Sequence, residues 1–216
     1  MRTVRVTGRG RLKIRPDTTR LTLTLSQCLP EYGEALRISS QNTEGLKKLL
    51  SGLGFERGEL KTLSFSIDTE YEDYREGGEY RRRFVGYRFT HVLKLDFASD
   101  SALLGRLLYA LSNGDVKPEV RISYTVRDQE AAKNALLAGA VADAKAKAKV
   151  LSDAAGVKLL DIQSIDYSWG EITLETRPMN RMLMAKASVS ADSLDMDIEP
   201  DDIDVTDTVT VIWEIA

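Results

Sequence analysis

Among the residue types that act in nucleophilic or acid–base catalysis, histidine and cysteine each occur only once in this sequence. His91 lies in FVGYRFTHVLKLDF, in register with the alternating apolar residues, and Cys28 precedes Leu29 and Pro30 at the end of another alternating stretch. A histidine activates a nucleophile only when a thiol or hydroxyl lies beside it. No serine or cysteine stands near His91 in the sequence, and a lone cysteine of this kind is usually buried and inert. We therefore predict no catalytic residue and no enzyme activity.

An acidic run, DSLDMDIEPDDIDVTD, extends from residue 192 to residue 207 without a basic residue. Asp195, Asp197 and Glu199 would share one side of an extended chain, an arrangement that could hold calcium. The run lacks the central glycine and the terminal glutamate of a calcium-binding helix-loop-helix loop. We favour a solvated acidic loop, and we predict neither a metal nor a cofactor.

Two basic stretches raise the question of nucleic acid. In EYRRRFVGYR, residues 79–88, arginines are mixed with aromatic residues that could stack on bases. Alternate residues of a strand face opposite ways, so these arginines would divide between two faces. Lys147 would point away from Lys145 and Lys149, because each helical residue turns the chain by about 100°. The net charge is −3. We predict no nucleic-acid partner and a solvated helix face for the lysines.

The elements that would position these residues alternate between strands and helices. Leu21, Leu23 and Leu25 alternate with polar residues, which indicates a half-buried strand. Gly77 and Gly78 indicate a hairpin turn. Leu63 and Phe65 share one face of the strand before the turn, and Val85 begins an apolar alternation in the strand after it.

A helix is predicted from about Tyr32 to Leu53, and its buried side is predicted to consist of Leu36, Leu46, Leu49, Leu50 and Leu53. A shorter helix is predicted after an N-cap at Ser99 or Asp100. The order strand-helix-strand-strand-helix-strand then predicts the split β-α-β core of ferredoxin-like domains, an α+β fold of antiparallel sheet with helices packed on one face.

A long Ala-rich helix and a C-terminal strand would extend that core. The helix is predicted to begin after the N-cap Asp128 and to end at Gly156. Its predicted buried stripe consists of Leu137, Val141, Ala144, Ala148, Leu151 and Ala155. The length of 216 residues and the hydrophobic content of 43% predict a single globular domain, 1–216, or two closely packed halves, about 1–127 and 128–216.

Several stretches, taken in order, resemble the SIMPL domain family of bacterial periplasmic and surface immunogenic proteins. They cover nearly the whole chain from about Thr3, and their order and spacing carry the resemblance rather than any single motif. They are VTGRGRLKIRPDTTRLTLTL, LKKLLSGLGFERGELKTLSFSIDTEY, VGYRFTHVLKLDF, AVADAKAKAKVLSDAAGVKLLDIQSI, RPMNRMLMAKA and DIEPDDIDVTDTVTVIWEI. The resemblance implies an α+β fold and a tendency to assemble into oligomers, and it implies no enzyme activity.

We therefore expect a non-enzymatic protein that forms homo-oligomers or binds a protein partner. The alternative is a small-molecule or peptide-binding module that uses the open face of the sheet. The hairpin and a Met-containing loop are the expected contact regions, although that loop could instead fold back over the sheet. The expected subunit contacts are Tyr80, Arg82, Phe84, Met179, Met182 and Met184.

The compartment is predicted from the N-terminus and from hydropathy. MRTVRVTGRGRLKI lacks the apolar core of a signal peptide, which predicts a cytoplasmic protein. The alternative is export to the periplasm or the cell surface, if the N-terminus has been trimmed. The sequence has no run of 18 apolar residues, so no transmembrane segment is expected. The single cysteine cannot form a disulfide within the chain.

Overall fold

The fold is given by a computed structural model that describes residues 2–167, 172–177 and 200–216. By their internal contacts these residues divide into two compact units. The long-helix unit comprises Met1–Asp17, Thr125–Thr176 and Pro200–Ala216, and the hairpin unit is described over Thr18–Tyr124. The elements, in chain order, are β1 (Thr3–Ile14), β2 (Thr18–Leu29), α1 (Tyr32–Ser51), β3 (Lys61–Glu76), β4 (Glu79–Ala98), α2 (Ser101–Asn113), β5 (Glu119–Thr125), α3 (Gln129–Ala155), β6 (Leu159–Asp166), β7 (Glu175–Thr176) and β8 (Ile203–Ile215).

The hairpin unit has the predicted split topology. Its strands lie in the order β3-β4-β2-β5, so β4 separates β2 from β3 and β2 separates β4 from β5. Helices α1 and α2 connect these separated pairs. Each helix thus links two strands that have a third strand between them, as the split β-α-β pattern requires. The predicted α+β fold is confirmed.

One face of this sheet packs against both helices. Leu21, Leu23 and Leu25 are buried there, as their alternation predicts. The predicted buried side of α1 is partly wrong, because Leu36 is exposed while Ala35 and Ser39 are buried in its place. The other buried apolar residues of this core are Leu46, Leu50, Leu60, Phe89, Leu93, Leu95, Phe97, Leu104, Leu107 and Leu111.

Local hydrogen bonds fix one terminus of each helix in the hairpin unit. At the C-terminus of α1 the N–H of Leu53 donates to the carbonyl of Leu50, which tightens the last turn and ends the helix at Ser51 rather than at the predicted Leu53. At the N-terminus of α2 the carboxylate of Asp100 accepts from the N–H of Leu103 at 2.9 Å, which confirms one of two predicted caps.

The long-helix unit consists of a three-stranded sheet, in the order β1-β8-β6, with α3 packed on one face. Strand β1 pairs with β8 along its whole length, from Thr3 opposite Glu214 to Ile14 opposite Ile203. The predicted ends of α3 are confirmed: Asp128 accepts from the N–H of Ala131 at 2.8 Å, and Gly156 ends the helix with a left-handed φ of 69°.

The predicted buried stripe of α3 is wrong at most positions. Only Ala144 and Ala148 of the predicted set are buried, Leu151 is exposed, and Leu137 and Val141 lie at the margin. The observed stripe recurs strictly every four residues and consists of Ala132, Leu136, Ala140, Ala144, Ala148 and Ser152.

Two glycines of β1 explain this stripe of small residues. A Cβ at Gly8 would lie 2.0 Å from the carbonyl oxygen of Ala140, and a Cβ at Gly10 would lie 2.0 Å from that of Leu136. The helix backbone therefore rests directly on the strand backbone. Small residues therefore predominate in the stripe, with Leu136 as its one large member, and most of the other large residues of α3 turn to the side.

Candidate functional site

The end of the β3–β4 hairpin extends beyond the rest of its sheet. Strand β4 pairs with β2 only as far as Tyr87, which lies opposite Leu29. Beyond that point β3 and β4 pair with each other alone, up to the turn at Gly77 and Gly78, whose φ angles are 62° and 92°. Both angles are left-handed, which explains the Gly-Gly pair. We call residues 70–86 the ribbon.

One face of the ribbon carries most of its aromatic surface. Its six side chains form three cross-strand pairs, Tyr71 with Phe84, Asp73 with Arg82, and Arg75 with Tyr80. The rings of Tyr71 and Phe84 meet edge to face at 5.7 Å, and the guanidinium of Arg82 lies 4.4 Å from the centre of the Tyr71 ring. We call this surface the aromatic face.

The opposite face of the ribbon is closed by ion pairs. Arg83 Nη2 lies 2.6 Å from Glu72 Oε2, and Arg81 Nη1 lies 2.9 Å from Glu76 Oε2. The Arg83 guanidinium also lies 5.6 Å from the centre of the Tyr74 ring. We call this surface the ion-pair face. Four charges of this face are thus paired within the ribbon.

The aromatic face is exposed and continues toward the base of the hairpin. Tyr80 is 79% exposed, Phe84 47% and Tyr71 44%. A bulge skips Val85, because Glu70 lies opposite Gly86 while Tyr71 lies opposite Phe84. The bulge lets Phe84 and Tyr87 lie on one side, with ring centroids 5.2 Å apart, although they are three residues apart.

Three of the six predicted contact residues share this aromatic face. Tyr80, Arg82 and Phe84 alternate along β4 and therefore point the same way. The other three, Met179, Met182 and Met184, lie outside the described residues. The prediction missed Tyr71, Asp73 and Arg75, the partners of these residues across the hairpin. A two-residue turn at Gly77 and Gly78 fixes that pairing, so counting back from the turn would have found them.

His91 lies on the helix side of the same sheet, in a groove between α1 and β3. Its Nδ1 is 3.1 Å from Thr43 Oγ1, and its Nε2 is 2.9 Å from Thr62 Oγ1. Burial and the nearby Lys47 ammonium lower the pKa of His91. The groove has a volume of about 400 Å³ and is lined largely by polar side chains, among them Ser39, Ser40, Thr43, Glu44, Lys47 and Thr62. We call it the polar groove.

Cys28 lies on the other side of the sheet from His91. His91 is opposite Leu25, and Cys28 follows Leu25 by three residues, which reverses the face and adds about 10 Å along the strand. Burial and a hydrogen bond to the Glu70 carboxylate raise the pKa of the Cys28 thiol. The two residues therefore do not form a catalytic pair, and the thiol is held in its less nucleophilic form.

The remaining sequence candidates are dispersed. Lys147 pairs with Asp143 at 2.7 Å and Lys149 with Asp153 at 2.9 Å, on different sides of α3, so the lysines do not form one row. That nucleic acid is not a partner stays a prediction.

The residues considered for calcium, Asp195, Asp197 and Glu199, fall outside the described ranges. No three potential metal ligands cluster within residues 2–167, 172–177 and 200–216. In those same ranges no helix is both long and apolar enough to cross a bilayer.

The open face of the hairpin sheet, the alternative binding surface, carries ion pairs instead of an apolar patch. Arg20 Nε lies 2.7 Å from Asp96 Oδ1, and Lys94 Nζ lies 3.4 Å from Asp96 Oδ2. A ligand would have to compete with these contacts. Binding at this face stays a prediction.

Comparison with known proteins gives a match to a family and likenesses to three chains of solved structures. The structure of CutA from Synechococcus elongatus is 18% identical, the match covers 59% of this chain and 95% of that chain, and the TM-score is 0.22. That TM-score is too low to carry an argument. Curated proteins give no match. The family model named SIMPL, described as a protein of unknown function (DUF541), matches residues 4–213. This match spans nearly the whole chain, and the protein therefore belongs to the SIMPL family.

Proposed function

We propose that this SIMPL protein is a non-enzymatic oligomer-forming protein whose copies pair through the aromatic faces of their ribbons. The observation that carries the proposal is the exposure of Tyr71, Tyr80 and Phe84 together on one face of a two-stranded extension. An isolated two-stranded hairpin is only marginally stable in water. Burial of these rings against another chain would stabilise it.

The residue types of the aromatic face are those of protein interfaces. Tyrosine and arginine are enriched among the residues that dominate binding energies, because they combine apolar area with hydrogen-bonding groups. The guanidiniums of Arg82 and Arg75 already lie over Tyr71 and Tyr80, at 4.4 Å and 5.2 Å from the ring centres. These contacts hold the side chains in place, so binding would order fewer rotamers.

The aromatic face is also complementary to itself. It carries Asp73 along with Arg75 and Arg82, so a two-fold arrangement that sets Asp73 of one copy against an arginine of the other would bring charges of opposite sign together. Ring surfaces would meet between those charges. A surface of this kind favours association of identical chains rather than capture of a strongly charged ligand.

The absence of enzyme activity is part of the proposal. Both ring nitrogens of His91 are engaged by threonine hydroxyls, and the raised pKa of Cys28 keeps its thiol protonated. The two groups lie on opposite faces of the sheet. These observations support a structural role for both residues.

Two tyrosines on opposite faces of the ribbon provide a matched test. Tyr80→Ser removes a ring from the aromatic face, and Tyr74→Ser removes one from the ion-pair face. We expect Tyr80→Ser to weaken self-association at least tenfold and Tyr74→Ser to change it less than twofold, as measured by light scattering across a concentration series. Tyr80 is 79% exposed, so its loss should not impair folding. Equal effects of the two substitutions would contradict the proposed interface.

A further inference from the structure

Strand β6 of the long-helix unit is left uncovered by the helix of that unit. Ile162 lies opposite Trp213 and Ile165 opposite Val211, so all four side chains share the face on which α3 packs. Trp213 and Val211 are buried, whereas Ile162 is 50% and Ile165 54% exposed. A helix about 10 Å wide covers only about two strands spaced about 4.8 Å apart. Among the described residues, therefore, no layer covers the third strand on this face.

Two neighbouring cavities lie along the uncovered strip between α3 and β6, and we describe them together as one groove. One part has a volume of about 630 Å³ and lies beside the start of β6, where Ala142, Ala146 and Leu160 line it. The next part has a volume of about 260 Å³ and is lined by Leu137, Val141 and other apolar or aromatic side chains. Successive turns of α3 form one wall of both parts, so together they run along the helix.

The rim of this groove is basic. Lys145, Lys149 and Lys158 line its larger part, where Asp153 is the one acidic residue. Asp153 pairs with Lys149 at 2.9 Å, and both side chains are well exposed, so this ion pair holds Lys149 only weakly. Within the described ranges Lys145 takes part in no ion pair. An apolar floor with a positive rim fits a ligand that is apolar on one side and negatively charged beside it.

The dimensions fit a helix. Along α3 the groove extends from Leu137 to Asp153, which corresponds to about 24 Å at about 1.5 Å per residue. A partner helix laid beside α3 would cover Ile162 and Ile165 and would complete the layer above β6. A second copy of α3 in this place would set lysines against lysines, so the charge argues against self-pairing here.

We infer that this lysine-rimmed groove binds an acidic amphipathic helix from a different protein. The apolar side of that helix would lie on β6 and α3, and its glutamates or aspartates would meet Lys145, Lys149 and Lys158. This is the helix-in-groove mode of recognition, in which apolar anchors recur at helical spacing. The inferred site is independent of the ribbon and adds a second kind of partner to the proposed oligomer.

The test uses the full chain and designed probe peptides. One probe is a labelled 18-residue helix with leucine on one side and glutamate on the other, and a second has lysine in place of glutamate. We expect the acidic probe to bind with micromolar affinity by fluorescence anisotropy and the basic probe to bind at least tenfold more weakly. No binding of the acidic probe, or equal binding of both, would overturn the inference.

Two lysines of α3 provide the control variants. Lys145→Glu reverses a charge at the rim and should weaken the binding of the acidic probe at least tenfold. Lys147→Glu reverses a charge that lies outside the groove, beside Asp143 and the carbonyl of Thr7, and should change the affinity less than twofold. Both positions are exposed, and circular dichroism checks that both variants fold. Equal weakening by the two substitutions would show a general charge effect and would overturn the site. A greater affinity of the protein for vesicles of anionic lipid than for the acidic probe would overturn the inference that the partner is a helix.

Discussion

The two sheets end in edge strands that differ in what they expose. Strand β3 runs on into the ribbon, where aromatic rings and charges of both signs share one face. Strand β6 is short, has irregular pairing near Ile162, and lies beside a groove with lysines at its rim. Irregular pairing blunts an edge against further strands. In each unit, exposed apolar side chains thus lie at an edge strand of the sheet, but the charges around them differ.

The difference in charge decides which partner each edge fits. We propose that a second copy of the chain covers the aromatic face, because this face carries charges of both signs between its rings. The groove beside β6 has one sign of charge in excess, so a second copy would add repulsion. An uncovered edge strand is therefore not enough to define a function, because the charges around it select the partner.

The polar groove shows a third outcome for an uncovered edge. It too lies between a helix and an edge strand, since α1 leaves β3 open, and Phe65 is exposed there. Here Thr43 and Thr62 satisfy both nitrogens of His91, so the polar groups are paired within the unit. Because these polar groups are already paired, a ligand would gain fewer contacts in the polar groove than in the groove beside β6.

The largest effect on stability is expected where α3 rests on β1, because this contact decides which strand stays uncovered. In Gly8→Ala the new Cβ would lie 2.0 Å from the carbonyl oxygen of Ala140, and a backbone atom cannot turn aside. We expect a loss of about 3 kcal/mol in the free energy of unfolding, the upper part of the range for overpacking. Urea unfolding measures it. Gly33→Ala is the control, because a Cβ there meets nothing within 4 Å. Equal stability of the two variants would contradict the close packing of α3.

A smaller, pH-dependent effect is expected in the polar groove. Burial and Lys47 lower the pKa of His91 below its ordinary value of 6.5, so the unfolded chain binds more protons at this ring as the pH falls below that value. The free energy of unfolding should therefore decrease between pH 7.5 and pH 5, and His91→Gln should flatten part of that decrease. Urea unfolding at several pH values gives both slopes. An unchanged slope would show that His91 titrates alike in both states.

The smallest effect is expected at β6. Ile162→Ser should change the free energy of unfolding by less than about 0.5 kcal/mol, because the side chain is half exposed. Its neighbour Val211 is fully buried in the same sheet, and Val211→Ala should cost about 2 kcal/mol. Thermal unfolding of both variants measures the contrast. A large decrease in the free energy of unfolding for Ile162→Ser would mean that Ile162 stabilises the unit itself and is not a residue kept exposed for binding a partner.

Local signals in the sequence predicted local structure well. The caps at Asp100 and Asp128, the helix end at Gly156 and the alternation of Leu21, Leu23 and Leu25 depend on neighbours in the chain. These features follow from short-range hydrogen bonds and from the two-residue period of strands, and the order of elements then gave the topology.

The failed predictions all depend on contacts between distant segments. Leu63 and Phe65 alternate like buried residues, yet both are exposed. Leu63 falls at a register shift between Thr62 and Ser64, and Phe65 lies on the edge strand β3. Val85 fits an apolar alternation but falls at a bulge and is exposed. Half of the aromatic face was predicted, because alternation places residues on one strand, whereas its other half required the register across the turn. The proposed compartment and the single-domain organisation stay predictions.

The central claim is that copies of this chain associate through the ribbon, and the mass of the unmodified protein in solution tests it most directly. The chain has a mass of 24.0 kDa. Sedimentation equilibrium over a wide concentration range should give a mass at least twice that value, which Tyr80→Ser should return toward that of a single chain. A mass of 24.0 kDa at every concentration would contradict the account.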